Sequence, residues 1–416
     1  MKIQKILFPS AACALLAVVQ VHAQATLYGI GDLAGGKTYS QVNDATKVGG
    51  VIYAVGGSTA TSATNNNDRA VLWTSTGGLQ AIPDFVTNTA GAGGIVATSI
   101  TPDGAYIAAR LHNNATTGET RAALVTTSGL TTTNLGNLGA GLSSQASGLS
   151  DNGTVLYGSV PYPSSGGKTQ LVRYTNSAGS IATVPFFASG TNLASTNMFI
   201  TGQAAVSADG NKVVGTTNNG GSFTTAGSQA FLYIQSGLDL SADTPYLTGG
   251  TWNAGLAINA SGTLGLILGN STTYANGALY LYNDTTNTLL GSPNAAFGFM
   301  GGGSLSDDGA VVLAAFSNAG TPASYIHNAS GWFSLDTVAA NAGANLTGWS
   351  ALNVFGMSSD ASLVWGNGLH NGNTEGFVLD LGAGTLAAIP EPSTYAGLAG
   401  VAALGLVMLR RRARVA

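Results

Sequence analysis

One phrase returns seven times, and it limits what this chain can fold into more than any other feature. It reads TSITPDGAYIAA (Thr98 to Ala109), SGLSDNGTVLYG (Ser147 to Gly158), AVSADGNKVVG (Ala205 to Gly215), LAINASGTLGLI (Leu256 to Ile267), GSLSDDGAVVLA (Gly303 to Ala314) and FGMSSDASLVWG (Phe355 to Gly366). A shorter copy, VNDATKVGG (Val42 to Gly50), comes first. Aligned on Thr46, Gly104, Gly153, Gly210, Gly262, Gly309 and Ala361, every copy has an apolar residue four places earlier and Ser, Thr or Asn three places earlier. That order describes a tight hairpin. The apolar residue ends a strand, the small polar residue bonds its own backbone to start a turn, and glycine takes the left-handed corner. Thr46 and Ala361 lack that freedom, so their turns are expected to be strained or differently shaped.

A second phrase follows each first one: RAVLW (Arg69 to Trp73), RAALV (Arg121 to Val125), QLVRY (Gln170 to Tyr174), QAFLY (Gln229 to Tyr233), GALYL (Gly277 to Leu281), ASYIH (Ala323 to His327) and EGFVL (Glu375 to Leu379). Each reads as a third strand, and several lead through a glycine turn into a weaker fourth. The unit averages about 52 residues and four strands, as in a propeller blade. The prediction is all-β: one domain over residues 24–388, a seven-bladed β-propeller. A right-handed β-helix shares the composition, but its rungs are about half this length. TLYGIGDL (Thr26 to Leu33) precedes the first unit and is expected to complete the last blade and close the ring.

Only 8% of residues are charged, yet 44% are hydrophobic and the mean hydropathy is +0.24. A disordered chain lacks that apolar content, so a buried core is expected. Both ends differ from the body. Lys2 and Lys5 precede an apolar run from Ile6 to Val19, and Val21-His22-Ala23 has small residues where signal peptidase requires them. Residues 1–23 are read as a signal peptide cleaved after Ala23, so Cys13, the only cysteine, leaves with it. At the other end, Pro390-Glu391-Pro392 breaks any strand, Tyr395 to Leu409 is uncharged, and Arg410, Arg411 and Arg412 follow. That run is at the short limit for a transmembrane helix, with its arginines on the cytoplasmic side. An ordinary tail anchor is the competing reading. Without both ends, 8 basic residues of 14 face 17 acidic residues of 18, a net charge of about −9. No basic patch remains, which disfavours nucleic acid as a partner.

Two resemblances bear on these features. YGIGDLAGG (Tyr28 to Gly36), VNDATKVGG and RAVLW give in order the pattern of the HAF repeat of bacterial extracellular proteins, although its histidine is absent from all seven copies. That resemblance implies a secreted repeat protein with no defined chemistry. IPEPSTYAGLAG followed by LRRRAR closely resembles the PEP-CTERM sorting signal of Gram-negative bacteria, here residues 389–416. This implies an exosortase that cuts near Pro390, Glu391 and Pro392. The body would then be released to the cell surface or exopolysaccharide matrix.

The body offers little chemistry to sequence reading. His112, His327 and His370 fall in different units without metal-ligand spacing, and no phosphate loop or nucleophile elbow is present. Asp103, Asp209, Asp307, Asp308 and Asp360 repeat at the turns, so each is expected to cap its own turn. Asp307-Asp308 is the one calcium candidate. The polar loops TNNNDR (Thr64 to Arg69) and GTTNNGGSFTTAGS (Gly215 to Ser228) are candidate ligand loops. Of the tryptophans, Trp73 and Trp365 are expected in the core, while Trp252, Trp332 and Trp349 are candidates for stacking on sugars.

The expected protein is therefore a non-enzymatic surface or matrix component without cofactor or metal. Its expected partners are signal peptidase, an exosortase, exopolysaccharide and, transiently, the membrane. The alternative is a secreted carbohydrate-active hydrolase or lyase. It requires non-repeating polar residues converging at the channel or one rim.

Overall fold

A computed structural model describes residues 24–61, 66–86, 94–114, 119–136, 143–161, 169–176, 180–182, 197–199, 205–218, 229–234, 237–239, 253–270, 277–283, 286–318 and 321–382. In chain order the strands begin with β1 (Thr26–Gly29). Then come β2 (Ser40–Val48), β3 (Val51–Ser58), β4 (Arg69–Thr74) and β5 (Gly78–Ala81), followed by β6 (Val96–Ile100), β7 (Tyr106–His112), β8 (Thr120–Thr126) and β9 (Thr131–Asn134). The next are β10 (Gln145–Leu149), β11 (Val155–Pro161), β12 (Thr169–Thr175), β13 (Ser180–Ala182), β14 (Asn197–Phe199), β15 (Lys212–Asn218), β16 (Gln229–Ile234) and β17 (Gly237–Asp239). They continue with β18 (Asn253–Ile258), β19 (Gly265–Gly269), β20 (Ala278–Tyr282), β21 (Asn287–Gly291), β22 (Gly298–Leu305), β23 (Val312–Asn318), β24 (Thr321–Asn328) and β25 (Gly331–Ser334). After α1 (Leu335–Asn341) come β26 (Trp349–Met357), β27 (Leu363–His370) and β28 (Asn373–Asp380).

These strands form seven four-stranded antiparallel sheets, six of them sequential. The other sheet has the order β1-β28-β27-β26. β1 therefore closes the ring, pairing Thr26 with Asp380 and Gly29 with Phe377. Ala25 and Ile30, at either end of β1, are buried. Gly31 N–H donates to Glu375 Oε1 (2.9 Å), and Lys47 reaches Asp380 (2.6 Å).

The first strand of each blade lines the axis, and blades pack face to face through apolar clusters. Val42, Ile52 and Trp73 meet Leu363, Trp365 and Val378 across one seam; Ala108 and Leu124 meet Leu149, Leu156 and Tyr174 across another. Alternation along each strand sends successive side chains to opposite neighbours, so inner strands such as β4, β8 and β19 are apolar on both faces. Helix α1 lies between the sixth and seventh blades. Ser334 Oγ accepts the Thr337 N–H at its start (3.3 Å), and Leu335, Val338 and Ala339 are buried.

Six of the seven repeated turns share one hydrogen-bond scheme. The small polar residue accepts through its side chain the N–H five places on: Tyr106 to Thr101 (3.0 Å), Val155 to Ser150 (3.0 Å), Lys212 to Ser207 (3.0 Å), Leu264 to Asn259 (2.9 Å), Val311 to Ser306 (3.0 Å) and Leu363 to Ser358 (2.9 Å). The turn glycines have φ between 67° and 71°. Ala361 takes φ 58° in their place, as its missing glycine foretold. A β-carbon there costs about 1 kcal/mol. Ala361→Gly is therefore expected to stabilise the protein by about that amount, partly offset by greater unfolded-state freedom. Denaturant unfolding checks this; a lower midpoint would contradict it.

The first unit departs from the sequence alignment. Thr46 does not occupy the turn; β2 runs on to Val48, and Gly49-Gly50 turns the chain at φ 58° and 85°. Two adjacent glycines supply both positive-φ corners of a two-residue hairpin, so the strand extends before turning. The shared bulges agree, falling between Val42 and Asp44 as between Ala97 and Ser99. Gly49 is thus the true counterpart of Gly104.

Candidate functional site

Correcting that register exposes a ring of positions around the axis. Five residues before each turn glycine stand Asp44, Ser99, Gly148, Ala205, Ala257, Ser304 and Gly356. Asp44 is the one charged member. Two residues before the glycine, Asp151 and Asp307 stand among Lys47, Pro102, Ala208, Ala260 and Ser359. Asp44, Asp151 and Asp307 line one axial cavity of about 200 Å³ at the end of the channel that carries the tight turns, with Asn259, Ser304 and Trp365.

The turns around this mouth are stitched blade to blade. Asp151 N–H donates to Ala208 O (2.8 Å), Ala208 N–H to Ala260 O (2.9 Å) and Asp307 N–H to Ser359 O (2.9 Å). Asp307 Oδ1 accepts the Ala260 N–H (2.9 Å), so this carboxylate braces a neighbouring blade instead of its own turn. Asp103, Asp209, Asp308 and Asp360 do cap their own turns, each accepting a hydroxyl two residues before and an N–H two residues after. Asp307 and Asp308 therefore diverge. Among the described residues no group of three or more His, Cys, Asp or Glu is placed to hold a metal ion.

Asp44 is 3% exposed. Its Oδ1 accepts the Ala45 N–H (2.9 Å) and its Oδ2 the Ile100 N–H (2.8 Å). Burial pushes its pKa up to about 8, against those two hydrogen bonds, so the carboxyl is largely protonated at neutral pH. Burial also raises Asp151, helped by the charges of Asp307 and Asp103. Sequence reading missed Asp44 and Asp151; the signal was Gly49-Gly50, which fixes the register.

The opposite end of the channel carries the long connections. There Tyr39 donates to Gln41 Oε1, Gln41 Nε2 to Asn43 Oδ1 and Asn43 Nδ2 to Ala97 O, each at 2.8 Å. Burial raises the pKa of Tyr39, and the nearby Asn67 and Asn367 side chains oppose that rise. This uncharged ladder ties the first blade to the second. Within the TNNNDR loop, Asp68 is buried and accepts the Ala60 N–H (2.7 Å), Thr61 N–H (2.8 Å) and Thr61 hydroxyl (2.7 Å).

Trp73 and Trp365 are core residues at 7% and 5% exposure, and Trp365 Nε1 donates to Asn43 O (2.9 Å). Trp332 is half-buried, makes T-shaped contacts with Phe316 and His327 and donates to Leu290 O (3.0 Å). Trp349 stacks on His370, with ring centroids 4.5 Å apart, and His370 pairs with Glu375 (2.7 Å). His112 is buried in β7. Trp252, Ala23, Pro390, Glu391, Pro392, Arg410, Arg411 and Arg412 lie outside the described residues, as does most of the loop before Ser228. No described helix is long and apolar enough to cross a membrane.

The fold places the chain with β-propellers of known structure. It is similar to a prolyl endopeptidase at TM-score 0.50 and 11% identity, covering 83% of this chain and 51% of that one. The chain thus spans about half the length of that enzyme. It is also similar to the β-propeller domain of the Trilobed protease from Pyrococcus furiosus at TM-score 0.50 and 11% identity, covering 82% and 96%. That domain is described as having an open velcro topology, whereas here β1 pairs with β28. Likeness at this identity shows the fold alone. No curated protein matches the sequence. Residues 388–412 match the PEP-CTERM protein-sorting motif. That motif implies export, exosortase processing and sorting of the propeller to the cell surface.

Proposed function

We propose that this chain is a non-enzymatic surface or matrix protein, exported by the Sec route with cleavage after Ala23, whose propeller associates with exopolysaccharide. The observation that carries the reading is the sorting motif at residues 388–412 behind a propeller. The HAF-like phrases and the uncharged amide-rich channel mouth support an extracellular, glycan-facing role. Cell fractionation with mass spectrometry of the mature termini tests it. The expected body begins near Gln24, ends near Pro390 and is recovered outside the cytoplasm. Replacing Pro390, Glu391 and Pro392 with alanine is expected to leave the Arg410–Arg412 tail attached and the protein in the membrane fraction. An intact tail on wild-type cytoplasmic protein would sink the reading.

One observation favours a second reading, a carbohydrate-active hydrolase. A largely protonated Asp44 shares a cavity with Asp151 and Asp307, and acid–base pairs in glycoside hydrolysis need carboxyls of separated pKa. Reducing-sugar release from polysaccharides by wild-type protein, lost in Asp151→Asn and Asp307→Asn variants, is the expected result under that reading. An inactive wild type removes it.

A further inference from the structure

Arg110 sits near the long-loop end of β7, opposite Val96 in β6 and Ala122 in β8. Ala108, two residues earlier, packs in the cluster shared with the third blade, so strand alternation aims Arg110 at the same seam. The side chain is half-buried, and its Nε is shut off from solvent with no hydrogen-bond partner. Its Nη2 lies against Gly94, at φ 84°, where a β-carbon would collide with it. The backbone leaves that space to the guanidinium.

Arg69 and Arg121 are answered by carboxylates, whereas Arg110, like Arg173 in the third blade, has a buried Nε without a hydrogen-bond partner. Arg69 meets Asp84 (3.7 Å), and Arg121 meets Glu119. No ion pair reaches Arg110 among the described residues. Residues 87–93, 115–118, 137–142 and 162–168 contain no Asp or Glu, so these connections hold no carboxylate for it. A guanidinium withdrawn from water without a counter-charge destabilises the fold that holds it, and an anion docking there recovers that loss. Its planar fork matches a carboxylate.

We propose that Arg110, backed by Gly94, is a docking site for a carboxylate-bearing sugar at the seam between the second and third blades. The choice of a uronate among carboxylates rests on the exopolysaccharide reading above; the anion site itself does not. The body's net charge of about −9 repels a polyanion spread over the surface. The site therefore takes one carboxylate locally, with an affinity that falls as salt rises.

The test is thermal unfolding of the purified full-length chain with sodium glucuronate, sodium phosphate or sodium chloride at matched ionic strength. Wild type is expected to gain several degrees in Tm with millimolar glucuronate relative to chloride. Arg110→Met is expected to melt above wild type without ligand and to show no glucuronate response. Arg110→Gln serves if the methionine variant does not fold, with binding weakened at least tenfold by titration calorimetry. An unresponsive wild type, an equal response in either variant, or a response to phosphate alone overturns the proposal. So does an Arg110→Met protein that melts below wild type, since the guanidinium would then be satisfied by the fold. A protein correctly sorted but indifferent to glucuronate overturns this inference alone; one that binds it yet stays in the cytoplasm overturns the matrix reading alone.

Discussion

Removing residues 24–30 is expected to destabilise the propeller by on the order of 5 kcal/mol. The deletion strips β28 of its four-residue partner strand and takes Ala25 and Ile30 out of the core. Loss of a buried aliphatic side chain contributes about 2–5 kcal/mol, and each unreplaced hydrogen bond about 0.5–1.5 kcal/mol. Glu375 also loses the Gly31 N–H it accepts if the shortened end frays. The bared edge of β28 becomes a template for pairing between molecules. Denaturant unfolding reads the first effect and light scattering the second. A peptide spanning residues 24–31, added in trans, is expected to restore part of the lost stability. An unchanged unfolding midpoint in the truncated chain would show that ring closure does not depend on β1.

The second large effect is a pH dependence centred on Asp44. In the unfolded chain its carboxyl titrates near 4, and in the folded protein at about 8. Below pH ~4 both states hold the proton, and the group has no influence on stability. Between pH ~4 and ~8 the unfolded chain releases the proton while the folded one keeps it. Stability then falls as pH rises, at up to about 1.4 kcal/mol per pH unit. Above pH ~8 the loss is complete and constant. Asp44→Asn removes this slope. At low pH the variant is expected to be about 1 kcal/mol weaker, because an amide nitrogen cannot accept the second of the Ala45 and Ile100 N–H groups. By pH 8 the order reverses. Urea unfolding from pH 4 to pH 9 checks the crossing, and parallel curves for the two proteins would refute the assignment. Asp84, also raised by burial, to about 6, adds a smaller slope of the same sign that is common to both.

The turns were legible in the sequence because their chemistry is local. Ser150 and Asn152 bond atoms within five residues, so the letters alone specify the contact. β1 was legible for a different reason: a strand-like segment ahead of the first repeat has nowhere else to pair. The axial site was hidden because its meaning lies in register. Asp44 looks like a turn residue until Gly49-Gly50 shifts the turn three places on. Asp307 looked like one more cap in a repeated series, yet it reaches Ala260 in another blade. Helix α1 was missed although Ser334 and Asp336 supply its start signals, because the repeat led the reading to expect only strands. Arg110 is unremarked in YIAARLH, since being unpaired depends on neighbours that only the folded seam supplies.

The β1–β28 pairing also sets how the protein bears load. A pull on the chain beyond Gly382 enters at Asp380, the end of β28. If the far side of the ring is held, that force runs along the strand axis. It then strains the eight residue pairs with β27 and the four with β1 together. Shearing requires many bonds to fail at once, whereas peeling breaks them singly. Held by the residues just beyond Gly382 and gripped by its loops, the propeller would be drawn along a strand paired on both edges.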